Sequence, residues 1–296
     1  MKVAIAGVGR MGAAMALRLL ETGHEVSLWN RSADKLAPLL DAGATAAATP
    51  AALAAGADII LTSLLDGPAL TQVYEGADGL LSAPLPHHPL FIEMSTVLPA
   101  EERALAEKAQ AAGGAFIECP VGGTTGPART GKLLGLAGGT AEDFARARPV
   151  LDDLCRRVEH VGPVGAGASM KLAINLPLLV YYQSLGEAYT LCGHLGLDPL
   201  WLVDFLSDTS GGMNVLKARR EVLATALGGG NPGPASFAVD AIRKDLRTMI
   251  AEARTLGSDL PLVTRALEVY DEASRSGLGD SDGAALAAFW PHRAAG

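Results

Sequence analysis

The sequence predicts an α/β domain built on a parallel sheet, then an all-α domain, with a long helix joining the two. Up to about residue 162, short runs of β-branched and apolar residues alternate with helical runs, the pattern of strands buried on both faces by crossover helices. From about Gly165 to Gly193 one largely apolar segment reads as a single helix. Beyond it only helical periodicity follows. The expected domains are therefore residues 1–163 and 164–296, with the joining helix at about 166–193.

In order, Lys2 to Ala6 is a buried strand, and Gly7-Val8-Gly9-Arg10-Met11-Gly12 leads into a helix that Gly23 stops. Strand, glycine turn and helix give a GxGxxG stretch the context of a dinucleotide site. Gly7 permits the tight turn, Gly9 lets a pyrophosphate reach the backbone, and Gly12 lets helix and strand pack closely. Free N–H groups at the helix start then hold the phosphates. A second strand, Glu25 to Trp29, ends in Asn30-Arg31-Ser32, where an NAD site would carry an acid for the ribose hydroxyls. Here Arg31 offers a guanidinium and Ser32 a hydroxyl to a 2′-phosphate, which favours NADP(H) and leaves NAD(H) possible. The alternative is a solvated arginine on a strand-end loop.

Helices are expected over Asp34 to Asp41 and Pro50 to Ala55, and a buried strand over Ala57 to Leu65 whose end, at Leu64 and Leu65, faces the cofactor. Gly76 to Pro89 is a loop region in which His87 and His88 lack a third ligand at any metal spacing. Leu90 to Met94 is the next strand, Pro99 starts a helix, and Ala115 to Glu118 is a strand running into a Gly- and Thr-rich loop. That loop, from Cys119 to Lys132, is either an anion-holding nest or a cluster of turns. Cys119 beside it reads as a small buried hydrophobe. Leu133 to Ala137 (strand), Ala141 to Leu154 (helix) and Val158 to Val161 (strand) close the first domain.

In the second domain Pro199 to Ser207, Met213 to Ala226, Ser236 to Leu256 and Pro261 to Arg275 have helical periodicity, and Gly279 to Asp282 caps a final helix. Val239, Ile242, Leu246, Met249 and Ala253 form a core stripe, with Lys244 and Asp245 off it. Gly228 to Pro234 is a candidate flap.

Composition narrows the function. The net charge is -8, which argues against a nucleic-acid groove or an anionic membrane surface and for a small-molecule partner. The longest apolar run, Leu172 to Tyr182 with Pro177 inside it, is short of the ~20 residues that cross a bilayer. Three widely spaced cysteines form neither a disulfide framework nor a metal set, and so suggest a cytoplasmic location.

Lys171 and Asn175 stand four apart on one face of the joining helix. They are either a solvated lysine and a backbone-satisfied amide, or a working pair. A lysine there, buried near a helix start, could supply a proton and a positive charge to a developing alkoxide while the amide fixes its geometry. Burial and the helix amino terminus would both lower its pKa toward neutrality.

Together these stretches resemble the β-hydroxyacid dehydrogenases, among them 3-hydroxyisobutyrate dehydrogenase, tartronate semialdehyde reductase, glyoxylate/succinic semialdehyde reductase and, more distantly, 6-phosphogluconate dehydrogenase. The resemblance covers nearly the whole chain. It rests on Gly7 to Gly12, Asn30-Arg31-Ser32, Ser95-Thr-Val-Leu-Pro99, Pro120 to Gly131, Gly167 to Asn175, Lys244-Asp-Leu246 and Gly279-Asp280. It implies a Rossmann domain, a long interdomain helix and a helical domain, with the active site in the cleft between them.

It implies Lys171 as the catalytic lysine, Asn175 as the residue orienting the substrate oxygen, Thr96 beside the nicotinamide and Lys244 closing over the cofactor. Reversible hydride transfer between NADP(H) and a small carboxylate-bearing semialdehyde or hydroxyacid follows, in a homodimer or homotetramer. Where the family reads Ser-Gly-Gly, this chain has Gly122-Gly123-Thr124, so backbone plus Thr124 or Thr125 is expected to take the carboxylate. Sulfolactaldehyde reductases look similar here but carry an arginine at the position of Gly123. Two rival readings remain: an imine reductase, a class that typically lacks the lysine, and a dinucleotide-binding scaffold without catalysis.

Overall fold

The computed structural model describes residues 1–292. These form two compact units, Met1–Leu172 and the chain from Ala173 onward.

The first unit runs β1 (Lys2–Ala6), α1 (Arg10–Glu21), β2 (Glu25–Trp29), α2 (Ala37–Asp41), β3 (Thr45–Ala46), α3 (Pro50–Ala55), β4 (Ile59–Thr62), α4 (Gly67–Glu75), β5 (Leu90–Glu93), α5 (Pro99–Ala111), β6 (Ala115–Glu118), β7 (Val121–Gly122), α6 (Thr125–Arg129), β8 (Leu133–Gly138), α7 (Ala141–Leu154) and β9 (Cys155–Gly162). It ends in the first turns of α8 (Ala166–Cys192), a helix that continues into the second unit. The strands lie in the order β3-β2-β1-β4-β5-β6-β8-β7, with β9 on β8. The β3 to β6 portion is parallel throughout, and its strand order reverses between β1 and β4. In such sheets ligands bind at that reversal, beyond the carboxyl ends of the strands.

The sheet is covered on both faces because its strands alternate apolar side chains up and down. Val3 and Ile5 of β1 join Met15, Leu19 and Leu151 in one core, while Ala4 and Ala6 join Leu53, Leu70 and Phe91 in the other. Each such leucine contributes about 1.5–3 kcal/mol on burial.

Several elements differ from the sequence reading, each for a local reason. The helix expected over Asp34 to Asp41 is a 3₁₀ turn, Ala33–Leu36, followed by the short α2. Pro38 offers no N–H to the preceding turn and can only sit at the start of a new helix. The strand expected over Ala57 to Leu65 is shorter, and α4 follows it, capped by the Asp66 carboxylate accepting from Ala69 N–H at 2.9 Å. The Gly- and Thr-rich loop contains β7 and the single-turn α6.

In the second unit the rest of α8 is followed by α9 (Pro199–Ser207), α10 (Asn214–Leu227), α11 (Val239–Thr255), α12 (Pro261–Ala273) and α13 (Ala284–His292). Val239, Ile242, Leu246, Met249 and Ala253 are buried as the stripe predicts. Asp245 departs from the reading: it lies among them, only 3% exposed. Asp282 accepts from Ala284 N–H at 3.0 Å, so it does cap α13. It also anchors the unit, because Arg219 donates to it at 2.6 Å and Ser236 N–H at 2.8 Å.

Candidate functional site

The glycine turn between β1 and α1 meets each demand of a pyrophosphate site. Gly7 has φ +99°, and a Cβ there would stand 2.5 Å from Ser63 O and 2.6 Å from Leu64 Cδ2. At Gly12 a Cβ would stand 2.1 Å from the Gly7 carbonyl oxygen, so only glycine permits this packing of α1 on the turn. At Gly9 a Cβ would meet nothing within 4 Å. Backbone N–H groups at the start of α1 have no side-chain cap, and Arg10 beside them is exposed while Met11 is half-buried. A loop that is crowded on its protein side and open at Gly9 fits a dinucleotide phosphate group.

Around this turn the first unit gathers other expected residues. Val8 N–H donates to Asn30 Oδ1 at 3.0 Å, and Asn30 Nδ2 donates to Ser32 O at 2.9 Å. Asn30 thus uses its amide as a strut that fixes the strand-end loop against the glycine turn. Arg31 is exposed, Ser32 half-buried, and the Ser32 side chain makes no cap to the turn it starts. At the end of β4, Leu64 lies against Gly7, while Leu65 is 62% exposed. Leu64 N–H donates to Ser95 Oγ at 2.8 Å, which ties the β4 loop to the residue before Thr96.

Below Ser95 lies a feature absent from the sequence reading. Glu93, at the end of β5 and fully buried, accepts from Ser95 N–H at 3.0 and 2.9 Å, from the Ser95 hydroxyl, and from Thr62 Oγ1 at 3.4 Å. Thr62 in turn meets Tyr74 Oη at 3.0 Å. Burial raises the Glu93 pKa, and burial with the adjacent Glu93 carboxylate pushes Glu102 well above the usual range. A second strand-end acid, Glu118 on β6, accepts from three backbone N–H groups at the beginning of α8. The signal in both cases was a Phe-Ile-Glu run: Phe91-Ile-Glu93 and Phe116-Ile-Glu118 each end an otherwise apolar strand in an acid.

Of the loop expected to hold a carboxylate, Gly122 pairs with Leu134 in β7, Gly123 has φ +127°, and Thr124 precedes α6 with its hydroxyl making no cap.

Lys171 lies in the second turn of α8 and is 8% exposed; Asn175, one turn on, is 7% exposed. Neither is a solvated residue. Asn175 Nδ2 donates to Asp245 Oδ2 at 3.1 Å, and Lys244 Nζ pairs with Asp245 Oδ1 at 2.6 Å. The second unit therefore joins two of the expected residues, Asn175 and Lys244, through Asp245, which periodicity placed off the core stripe. Among the described residues no group of three metal-ligating side chains comes together, and Cys119 and Cys155 are buried thiols with pKa pushed upward by burial.

A family model described as the NAD binding domain of 6-phosphogluconate dehydrogenase matches residues 2–162. A second, the NAD-binding model of NADP-dependent 3-hydroxyisobutyrate dehydrogenase, matches residues 165–290. The chain belongs to the β-hydroxyacid dehydrogenase family. As a β-hydroxyacid dehydrogenase it is an oxidoreductase with a nicotinamide-dinucleotide fold. It is 34% identical over 271 residues to a 3-hydroxyisobutyrate dehydrogenase of Pseudomonas aeruginosa, covering 90% of each chain. It is 35% identical to a 3-sulfolactaldehyde reductase of Escherichia coli, covering 96% of this chain and 94% of the relative.

Among solved structures, a 3-hydroxyisobutyrate dehydrogenase of Mycobacterium tuberculosis with L-serine superposes at TM-score 0.82, with 27% identity and 97% of each chain covered. A reductive aminase of Aspergillus terreus with NADPH superposes at only 0.63, with 25% identity and coverage of 96% and 97%. The M. tuberculosis dehydrogenase thus superposes more closely than the A. terreus reductive aminase. No described helix is long and apolar enough to cross a membrane.

Proposed function

We propose that this β-hydroxyacid dehydrogenase transfers hydride reversibly between NADP(H) and a small β-hydroxyacid or semialdehyde bearing a carboxylate, of the 3-hydroxyisobutyrate, 2-hydroxy-3-oxopropanoate or glyoxylate kind. The observation that carries the reading is a buried Lys171 with a buried Asn175 one helical turn away, in a chain that also carries the glycine turn. A lysine held there beside a buried amide can give both a proton and a positive neighbour to a developing alkoxide.

The bound dinucleotide supplies or accepts the hydride. In reduction Lys171 gives its proton to the substrate oxygen, and in oxidation its neutral amine takes the hydroxyl proton. Asn175, held by its hydrogen bond to Asp245, orients that oxygen. Gly122, Gly123 and Thr124 or Thr125 hold the substrate carboxylate. Gly7 to Gly12 carry the pyrophosphate, Leu64, Leu65 and Thr96 border the nicotinamide half, Lys244 closes over the cofactor, and Arg31 with Ser32 takes the 2′-phosphate. Such a constellation has no purpose in a non-catalytic scaffold, and the lysine sets it apart from the imine reductases.

Turnover of NADPH with glyoxylate and with succinic, methylmalonate and tartronate semialdehydes tests the reading. At least one is expected to be reduced, and a cyclic imine is not. In the same assay Arg31→Ala is expected to raise the KM for NADPH about tenfold or more, the scale of one charge-assisted contact to phosphate, and to leave NADH unchanged. Equal loss with both cofactors would remove the 2′-phosphate role.

Self-association and a cytoplasmic setting complete the proposal. In the second unit Leu191, Leu195, Trp201 and Phe205 are each more than half exposed, and the Trp201 and Phe205 rings stack at 5.0 Å. Exposed apolar groups so concentrated mark an association surface. Trp201→Asp is expected to convert a dimer or tetramer to monomer in light scattering, and an unchanged mass would refute that surface.

A further inference from the structure

We propose that Glu118 is a positioning residue, whose carboxylate anchors the amino terminus of α8 and so sets where Lys171 is held. The inference rests on the reading of Lys171 as the acid and base of the reaction.

Glu118 ends β6 and has no exposed surface. Its Oε1 accepts from Gly165 N–H at 2.5 Å and Gly167 N–H at 2.8 Å, and its Oε2 from Ala168 N–H at 3.1 Å. The first N–H groups of a helix have no partner within the helix, and an anion there also meets the positive end of the helix dipole. Where a side chain fills this need, it commonly comes from the residue just before the helix. Here the acceptor comes from a strand 47 to 50 positions earlier, so it ties α8 to the sheet rather than to its own leading loop.

The surroundings leave room for that carboxylate and little else. Gly138 faces Glu118 across the β6–β8 pairing, and a Cβ there would stand 2.2 Å from Glu118 Oε1. A Cβ on Gly167 would stand 3.2 Å from Glu118 Cδ and 2.3 Å from Leu136 O. Lys171 follows the last anchored residue, Ala168, by three positions, less than one helical turn. A shift at the anchor is passed along that rigid turn to the amine, and misplacement by about 1 Å can lower turnover on the order of a hundredfold.

Ionisation governs the anchor. Only the carboxylate accepts at both oxygens, since a protonated acid turns one of them into a donor facing N–H groups. Burial pushes the Glu118 pKa up, against the lowering by the three N–H donors, to about 7. The groups around it are Glu93 on β5, Glu102 on α5 and the Cys119 thiol, with the Arg103 guanidinium of α5 close to Gly165. Turnover should therefore decline as pH falls through about 7, as the anchor is protonated.

The test compares Glu118→Gln and Glu118→Asp with the unaltered enzyme in kcat, KM and NADPH affinity across pH. Glu118→Gln is expected to lose about tenfold or more in kcat, with NADPH affinity within about twofold, and to lose the acid limb near 7. Glu118→Asp, which restores the charge on a shorter arm, is expected to regain a limb displaced from the original and part of the lost kcat. If Glu118→Gln does not fold, the Asp variant carries the test, and a limb that coincides with the original overturns the proposal. A Gln variant with unchanged kcat, or with reduced kcat and an unchanged limb, overturns it as well. An inactive Lys171→Ala beside an unaffected Glu118→Gln would remove the Glu118 role alone, whereas an active Lys171→Ala would remove the reading beneath it.

Discussion

Lys171→Ala is expected to lower kcat by about a hundredfold or more, the range of a positioned acid or base, with the fold retained and NADPH affinity nearly unchanged. The variant loses the proton donor and the positive neighbour of the developing alkoxide in one step. Stopped-flow transfer of hydride from NADPH separates the chemical step from cofactor release. Near-normal transfer in a folded Lys171→Ala protein would refute the assignment. Asn175→Ala is expected to act more weakly, since it removes orientation and leaves the proton source in place.

The largest effect on stability is expected at Asp282→Ala in the second unit. Its side chain is 4% exposed and pairs with Arg219, itself 18% exposed, while accepting from Ser236 and from the first N–H of α13. Removing one partner of a buried pair leaves an uncompensated charge and costs about 3–5 kcal/mol. Although burial raises the Asp282 pKa, hydrogen bonds from Ala284 and Ser236 and the Arg219 guanidinium outweigh it and leave the carboxyl below its usual value. An acid with a depressed native pKa stabilises the fold above its unfolded pKa, and that stability is lost as pH falls through the native value. The unaltered protein is therefore expected to weaken below about pH 4, and the variant to have a flatter acid profile. Urea unfolding followed by tryptophan fluorescence, to which Trp201 and Trp290 of the second unit contribute beside Trp29 of the first, measures both effects. A midpoint matching the original at neutral pH would show that the pair does not anchor the unit.

Parts of the molecule were legible because local chemistry there agrees with the fold. Pro50 to Ala55 and Ala141 to Leu154 were read at their observed boundaries, each having a threonine whose hydroxyl accepts at the helix start. The glycine turn was legible for the same reason, since each glycine answers a separate steric demand. The spacing of Lys171 and Asn175 left a solvated pair and a working pair open, the family resemblance singled them out, and the structure finds both buried.

The acids were not legible. A glutamate ending a strand or an aspartate beside a lysine is ordinarily solvated, and only the packing of distant segments reveals that Glu93, Glu118 and Asp245 are enclosed. Glu118 meets its partners some fifty residues later, a separation that no periodicity encodes. Pro38 and Asp66 carried signals that a longer helical pattern and a longer strand pattern obscured.

The twist of one peptide at Gly123 bears on what side chain this bend could carry. Its φ of +127° lies where side chains are rarely tolerated, and a Cβ there would press to 2.9 Å from Leu133 Cδ2. An arginine placed at this position, where the resemblance to sulfolactaldehyde reductases implies one, would therefore distort the backbone before the guanidinium reached any anion. An arginine there would need the whole bend remodelled, Gly123 together with Pro127 and Leu133, and a one-codon exchange would yield a damaged loop.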